Sequence, residues 1–115
     1  MSVERPSSKR NIWVATVRPD GRPHLAPVWF VAEGKALYFV TDPKSVKARN
    51  LQRNPRVAVS LEDGDAPYIV EGLARHVNPS AEIVRLFKAK YDWDITTDTQ
   101  YSQVFEVEVT KQVRG

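Results

Sequence analysis

A chain of 115 residues can bury one modest hydrophobic core and leaves little room for a separate catalytic lobe, so it reads as a single domain over 1–115. Hydrophobic residues at 42% and charged residues at 27% are ordinary for a globular protein; no apolar run reaches the length of a membrane span, and the lack of cysteine excludes disulfides and thiolate metal sites. The net charge of +3 hints at an anionic partner and is local: Lys44, Lys47, Arg49, Arg53 and Arg56 follow one another with no acidic residue between them.

The polar segment 1–10 lacks the apolar run of a signal peptide and reads as the frayed start of a cytoplasmic protein. The β-branched run 12–17 predicts a strand, and Arg18-Pro19-Asp20-Gly21-Arg22 a hairpin turn, since proline presets φ and glycine accepts φ > 0. The returning strand covers 24–31. Pro27 within it has no N–H to donate, which marks an edge or a bulge. A second tight turn at Glu33-Gly34-Lys35 leads to a third strand, 36–41. Asp42-Pro43-Lys44 ends that strand, and Ser45 caps a short helix over 46–53 that stops at Asn54-Pro55.

Alternation predicts a fourth strand over 57–61, with Val57, Val59 and Leu61 on one face. A polar turn follows, and Glu62, Asp63 and Asp65 in it read as solvated. A long strand over 68–77 contains Gly72, a sign of a bend or a close backbone approach. Asn78-Pro79-Ser80 opens a second helix, about 81–91, whose Ile83, Val84, Leu86, Phe87 and Tyr91 share one stripe. After an irregular stretch over 92–100, Phe105, Val107 and Val109 alternate with Val104, Glu106 and Glu108 in a last strand. The order βββαββαβ with tight turns implies antiparallel pairing. Six strands in so short a chain favour a small closed barrel, because closure removes exposed edges.

The side chains alone offer little catalytic machinery. His24 and His76 stand far apart with no carboxylate at ligand spacing, and no Gly-x-Ser-x-Gly elbow is present. An enzyme built this way needs a cofactor to carry its chemistry. The best anion site is the strand end and helix start around Ser45 and Lys47, where unpaired N–H groups and the helix dipole favour negative charge. A lysine there is unfavourable for the bare helix, and a bound phosphate would remove the conflict. The residues alone leave open a second reading, a capped surface helix with basic residues on it. Pro27-Val28-Trp29-Phe30 could wall a flat ring, or the aromatics could be core or dimer interface. His24 reads as an ordinary polar residue near a turn. No aromatic interleaves the basic run, so neither the pattern nor its place on a helix suits nucleic acid.

Taken together, Trp13-Val14-Ala15-Thr16-Val17, Arg18-Pro19-Asp20-Gly21-Arg22-Pro23-His24, Pro27-Val28-Trp29-Phe30, Tyr38-Phe39-Val40-Thr41, Lys47-Ala48-Arg49-Asn50-Leu51, Asn54-Pro55-Arg56-Val57 and Glu71-Gly72-Leu73-Ala74 resemble the pyridoxamine 5′-phosphate oxidase-like family of FMN-binding split barrels. The resemblance is closest to its short flavin/deazaflavin oxidoreductase branch, and it is strong over residues 10–77. It implies a mainly β, six-stranded antiparallel split barrel that forms a homodimer with the cofactor in a groove at the interface. It also implies an oxidoreductase moving hydride between bound FMN, or alternatively coenzyme F420, and a small-molecule substrate. A carrier that binds a flavin or a tetrapyrrole without turnover is the alternative. By the same resemblance the ring lies by Pro27, Val28, Trp29 and Phe30, and the phosphate by Thr41, Ser45, Lys47 and Asn50. Val40 shares that strand end, and Arg56 matches just beyond the helix. The arginine-bearing C-terminal segment of true pyridoxamine phosphate oxidases has no counterpart here, so that activity is not expected.

Overall fold

The structure, a computed structural model, describes residues 8–113. The expectation of a frayed start falls mostly on 1–7, outside the described residues. Arg10, by contrast, is held in place by contacts given below. Six strands, β1 (Asn11–Val17), β2 (Pro23–Glu33), β3 (Ala36–Thr41), β4 (Arg56–Ser60), β5 (Ile69–Val77) and β6 (Gln103–Val113), close into a barrel in the order β1-β2-β3-β6-β5-β4. All six pairings are antiparallel. Helix α1 (Val46–Arg53) follows β3 and helix α2 (Ala81–Tyr91) follows β5. None of the described helices is long and apolar enough to cross a membrane.

Local chemistry sets these elements. In the β1–β2 turn Gly21 takes φ 89°, donates its N–H to Arg18 O at 2.9 Å, and lets Asp20 accept from Arg22 N at 3.1 Å. Ser45 and Ser80 stand before the two helices in extended conformation, and their hydroxyls accept from Ala48 N and Ile83 N. Asp92 ends α2 in the left-handed region, at φ 53°.

The alternation of each strand sorts its side chains into two cores. Inside the barrel, Ile12, Val14, Phe30, Leu37, Phe39, Val59, Val70, Phe105 and Val107 pack together, and Ala48 and Leu51 of α1 join them. On the outer face of β2, β3 and β6, Val31, Val40 and Val104 pack against Ile83 and Phe87 of α2, with Ile95 of the following loop. Phe39 and Val40, adjacent in the chain, therefore belong to different cores. Strand β4 begins and ends one residue before the predicted 57–61, and β5 begins one residue after the predicted 68. The expected bend at Gly72 is a register shift in the β5–β6 pair between Glu71 and Gly72.

Candidate functional site

The barrel is closed, but one of its seams is only half sewn. Strand β2 pairs with β1 along Pro23–Trp29, and with β3 only from Phe30 to Glu33. Strand β3 pairs with β6 along its whole length, through Val40 and Thr41. Residues 23–29 thus have a ladder on one side only, and β3 runs past them into α1. Pro27 sits in this one-sided stretch, where a residue without an N–H costs least. Where the two strands part lies a groove of about 700 Å³, with Pro27, Val28 and Trp29 on one lip and Val40 and Lys47 on the other. Its volume is that of a small-molecule or cofactor pocket.

The groove is cationic at the α1 end. Ser45 Oγ lies 3.1 Å from Thr41 Oγ1 and accepts from Ala48 N at 3.3 Å, so that strand end and helix start are tied together. The first turn of α1 carries no acidic residue. Lys47 is half-buried there, and among the described residues it has neither an ion pair nor a hydrogen bond. Burial pulls its ammonium below the usual lysine range, with Asp42 opposing. His24 stands near Lys47 but does not line the groove. It pairs in register with buried Thr16, and its Nδ1 is buried with no hydrogen-bond partner among the described residues. Desolvation lowers its pKa, and the charges of Arg18 and Lys47 lower it further.

The opposite end is aromatic. Trp29, 38% exposed, stacks on Tyr91 with ring centres 4.6 Å apart and planes 5° off parallel. Trp93 meets Trp29 edge-on at 5.9 Å and Tyr101 at 6.5 Å. The Tyr91 hydroxyl accepts from Phe30 N at 2.8 Å and lies 2.7 Å from the carbonyl oxygens of Phe30 and Arg10. The Lys90 ammonium donates to Phe30 O at 2.9 Å and is held down to about 8 by burial and by Arg10. Side chains of α2 therefore serve the β2 backbone where it leaves β3. Asp92 and Asp98 complete this end of the groove.

The site differs from the expected one in three residues. Phe30 does not face a ring; its side chain is fully buried in the barrel core, on the opposite side of β2 from Trp29. Asn50 is buried and donates to Thr16 Oγ1 at 2.9 Å, bordering a separate recess with Arg18, Arg49 and Arg53 rather than the groove. Arg56 is exposed at the start of β4 and lines neither cavity. Pro27, Val28, Trp29, Val40 and Lys47 do converge, with Thr41 and Ser45 behind Lys47. Tyr91 was read as core stripe only. Trp93, Asp98 and Tyr101 stand in or beside the irregular stretch 92–100, whose length draws attention to it but which carries no motif to say which of its residues matter.

A closed six-stranded barrel parted between β2 and β3, with α1 at one end of the gap, defines a split-barrel protein. The family model described as pyridoxamine 5′-phosphate oxidase matches residues 3–112, and the chain belongs to that family. Among solved structures it is similar to an F420 reductase, with 29% identity over 98% of both chains and a TM-score of 0.74. It also resembles HutZ, the heme storage protein from Vibrio cholerae, with 17% identity, 96% of this chain and 92% of that chain covered, and a TM-score of 0.79. HupZ of Group A Streptococcus is similar at 16% identity, 96% and 92% coverage and a TM-score of 0.71. The last two likenesses are likenesses of fold. No curated protein matches the chain.

Proposed function

We propose that this protein is an oxidoreductase that holds FMN or coenzyme F420 in the β2–β3 groove and exchanges hydride with a small organic substrate. The observation that carries this reading is the α1 end of the groove, where half-buried Lys47, with no ion pair among the described residues, stands in the first turn of a helix that carries no acidic residue there. Its ammonium is a donor suited to a phosphate. Lys47 supplies charge and the α1 N-terminus its dipole. Pro27, Val28 and Trp29 offer a flat apolar lip that positions a ring and keeps water from it. A flavin or deazaflavin, when bound, supplies the hydride chemistry. The similarity to an F420 reductase supports a flavin-type cofactor, FMN or F420.

Fluorescence titration of the purified protein with FMN and with F420 tests the reading. Micromolar or tighter binding of one of them is expected; failure of both at micromolar protein would overturn it. The competing reading is a carrier without turnover, which the fold shared with a heme storage protein favours. Single-turnover reoxidation of the reduced, bound cofactor separates the two. Acceptors that never outpace buffer would leave the carrier.

The active form on this reading is a homodimer that closes the groove from outside. The outer face of β2 carries Leu25, 61% exposed, beside Pro27 and Trp29. Register aligns Ala15 with Leu25 and Trp13 with Pro27, and carries the apolar surface through Ala58 of β4. A contiguous apolar face of this kind is a usual protein contact. Sedimentation equilibrium is expected to return twice the chain mass of 13.1 kDa. A monomer at tens of micromolar would refute the dimer.

A further inference from the structure

We propose that the substrate half of the groove is built for a flat, electron-poor aromatic ring carrying a positive charge. This deepens the oxidoreductase reading and rests on it. If the α1 end holds the cofactor phosphate and Pro27, Val28 and Trp29 its ring, the wall that remains is made by Tyr91, Trp93 and Tyr101, with the outer edge of Trp29 beside them. These rings pack on one another and border the groove with their remaining surfaces, and electron-rich ring faces favour a cation.

The structure already sets a cation against two of these rings. The Arg10 guanidinium, itself flat and charged, lies 4.4 Å from the Trp29 ring centre and 5.4 Å from that of Tyr91. The chain's own side chain thus shows the charge and shape that these rings accept.

The carboxylates beside the rings have the complementary sign and are held in place. Asp98 Oδ1 accepts from Tyr101 N at 2.8 Å and Gln100 N at 3.0 Å, while Oδ2 accepts from Trp93 Nε1 at 3.2 Å. Those donors keep its carboxyl below the usual range, the Tyr101 amide most of all. Asp92, fixed as the left-handed cap of α2, is held low by Lys88, whose ammonium lies 2.7 Å away. Asp98 is thus a fixed carboxylate beside the rings with no cationic partner among the described residues, whereas Asp92 is already paired with Lys88. Of the charged side chains that line the groove, Lys47 stands at the α1 end and Asp92 and Asp98 at the aromatic end, while Arg10 and Lys90 lie against the rings from outside that lining. A negatively charged ring would meet both aspartates; a neutral one would forgo them.

The test compares three flat probes of similar size on the full chain, read by quenching of tryptophan fluorescence: 1-methylquinolinium, neutral 2-methylquinoline and anionic 2-naphthoate. The cation is expected to bind about tenfold more tightly than the neutral probe, with 2-naphthoate weakest. Asp98→Asn, which keeps an acceptor for the loop amides, is expected to weaken the cation several-fold and leave the neutral probe unchanged. Arg10→Ala, on a separate element, is expected to tighten the cation by removing its internal competitor. Equal or tighter binding of the neutral or anionic probe would overturn the proposal, as would an Arg10→Ala variant with weaker cation binding. A parallel FMN and F420 titration keeps the two readings apart. Flavin binding without a cation preference sinks this proposal alone, whereas a cation preference without flavin binding sinks the cofactor reading.

Discussion

Lys47→Ala is expected to weaken cofactor binding by about 1–3 kcal/mol, roughly tenfold to a hundredfold, while leaving the unliganded protein at least as stable as before. The two halves of this expectation have one cause. Lys47 is half-buried without a partner near the N-terminus of α1, so the fold holds its proton less tightly than the unfolded chain does. Below the folded pKa its charge is a cost to the bare protein. Stability from this group rises as pH climbs from the folded value toward the ordinary 10.5. Removing the charge lifts that cost. A phosphate reverses the balance, since it supplies the missing partner and the substitution then removes a charged hydrogen bond. Calorimetric titration of both proteins with the cofactor, beside thermal unfolding without it, reads both halves. Unchanged affinity would remove Lys47 from the site. A large loss of stability without ligand would show that Lys47 is structural.

Gly72→Ala is expected to cost about 3 kcal/mol or more of stability, on the order of 10 °C in Tm. A methyl group at Gly72 would stand 2.3 Å from Glu108 O, 3.1 Å from the Glu108 carbonyl carbon and 3.0 Å from Val107 Cγ1. The carbonyl oxygen belongs to the neighbouring strand and has no rotamer in which to retreat. Relief requires parting β5 from β6 at the register shift, where Glu71 pairs with Lys111 but Gly72 with Val109. The cost is steric, since Gly72 is not among the positive-φ glycines. Thermal unfolding followed by circular dichroism checks it. A loss below about 1 kcal/mol would mean that the strands do not approach as closely as described.

What the sequence disclosed follows the range of the interactions involved. Helices 46–53 and 81–91 and strand 36–41 have their predicted bounds, because serine caps, Pro43, Pro55 and Pro79 and the Glu33-Gly34 turn act within a few residues. The convergence of Val28, Trp29, Val40 and Lys47 was legible through resemblance and through the strand–helix junction. Phe30 was misplaced because two adjacent aromatics on a strand face opposite ways, and only the register with β1 and β3 decides which goes inward. Asn50 was misplaced because its partner, Thr16, lies 34 residues away. The orphaned Nδ1 of His24 left no local trace at all, since it results from what the completed barrel puts around it. The aromatic end of the groove depends on chain between α2 and β6 that has no period to read.

The half-sewn seam also bears on motion. An interior strand is normally held by two ladders, and freeing it breaks both. Residues 23–29 are held by one, to β1, while the Tyr91 hydroxyl takes the N–H of Phe30 where the second ladder begins. Opening residues 23–29 therefore breaks one ladder rather than two, at the cost of drawing Val28 from the enclosed core and Trp29 from Tyr91.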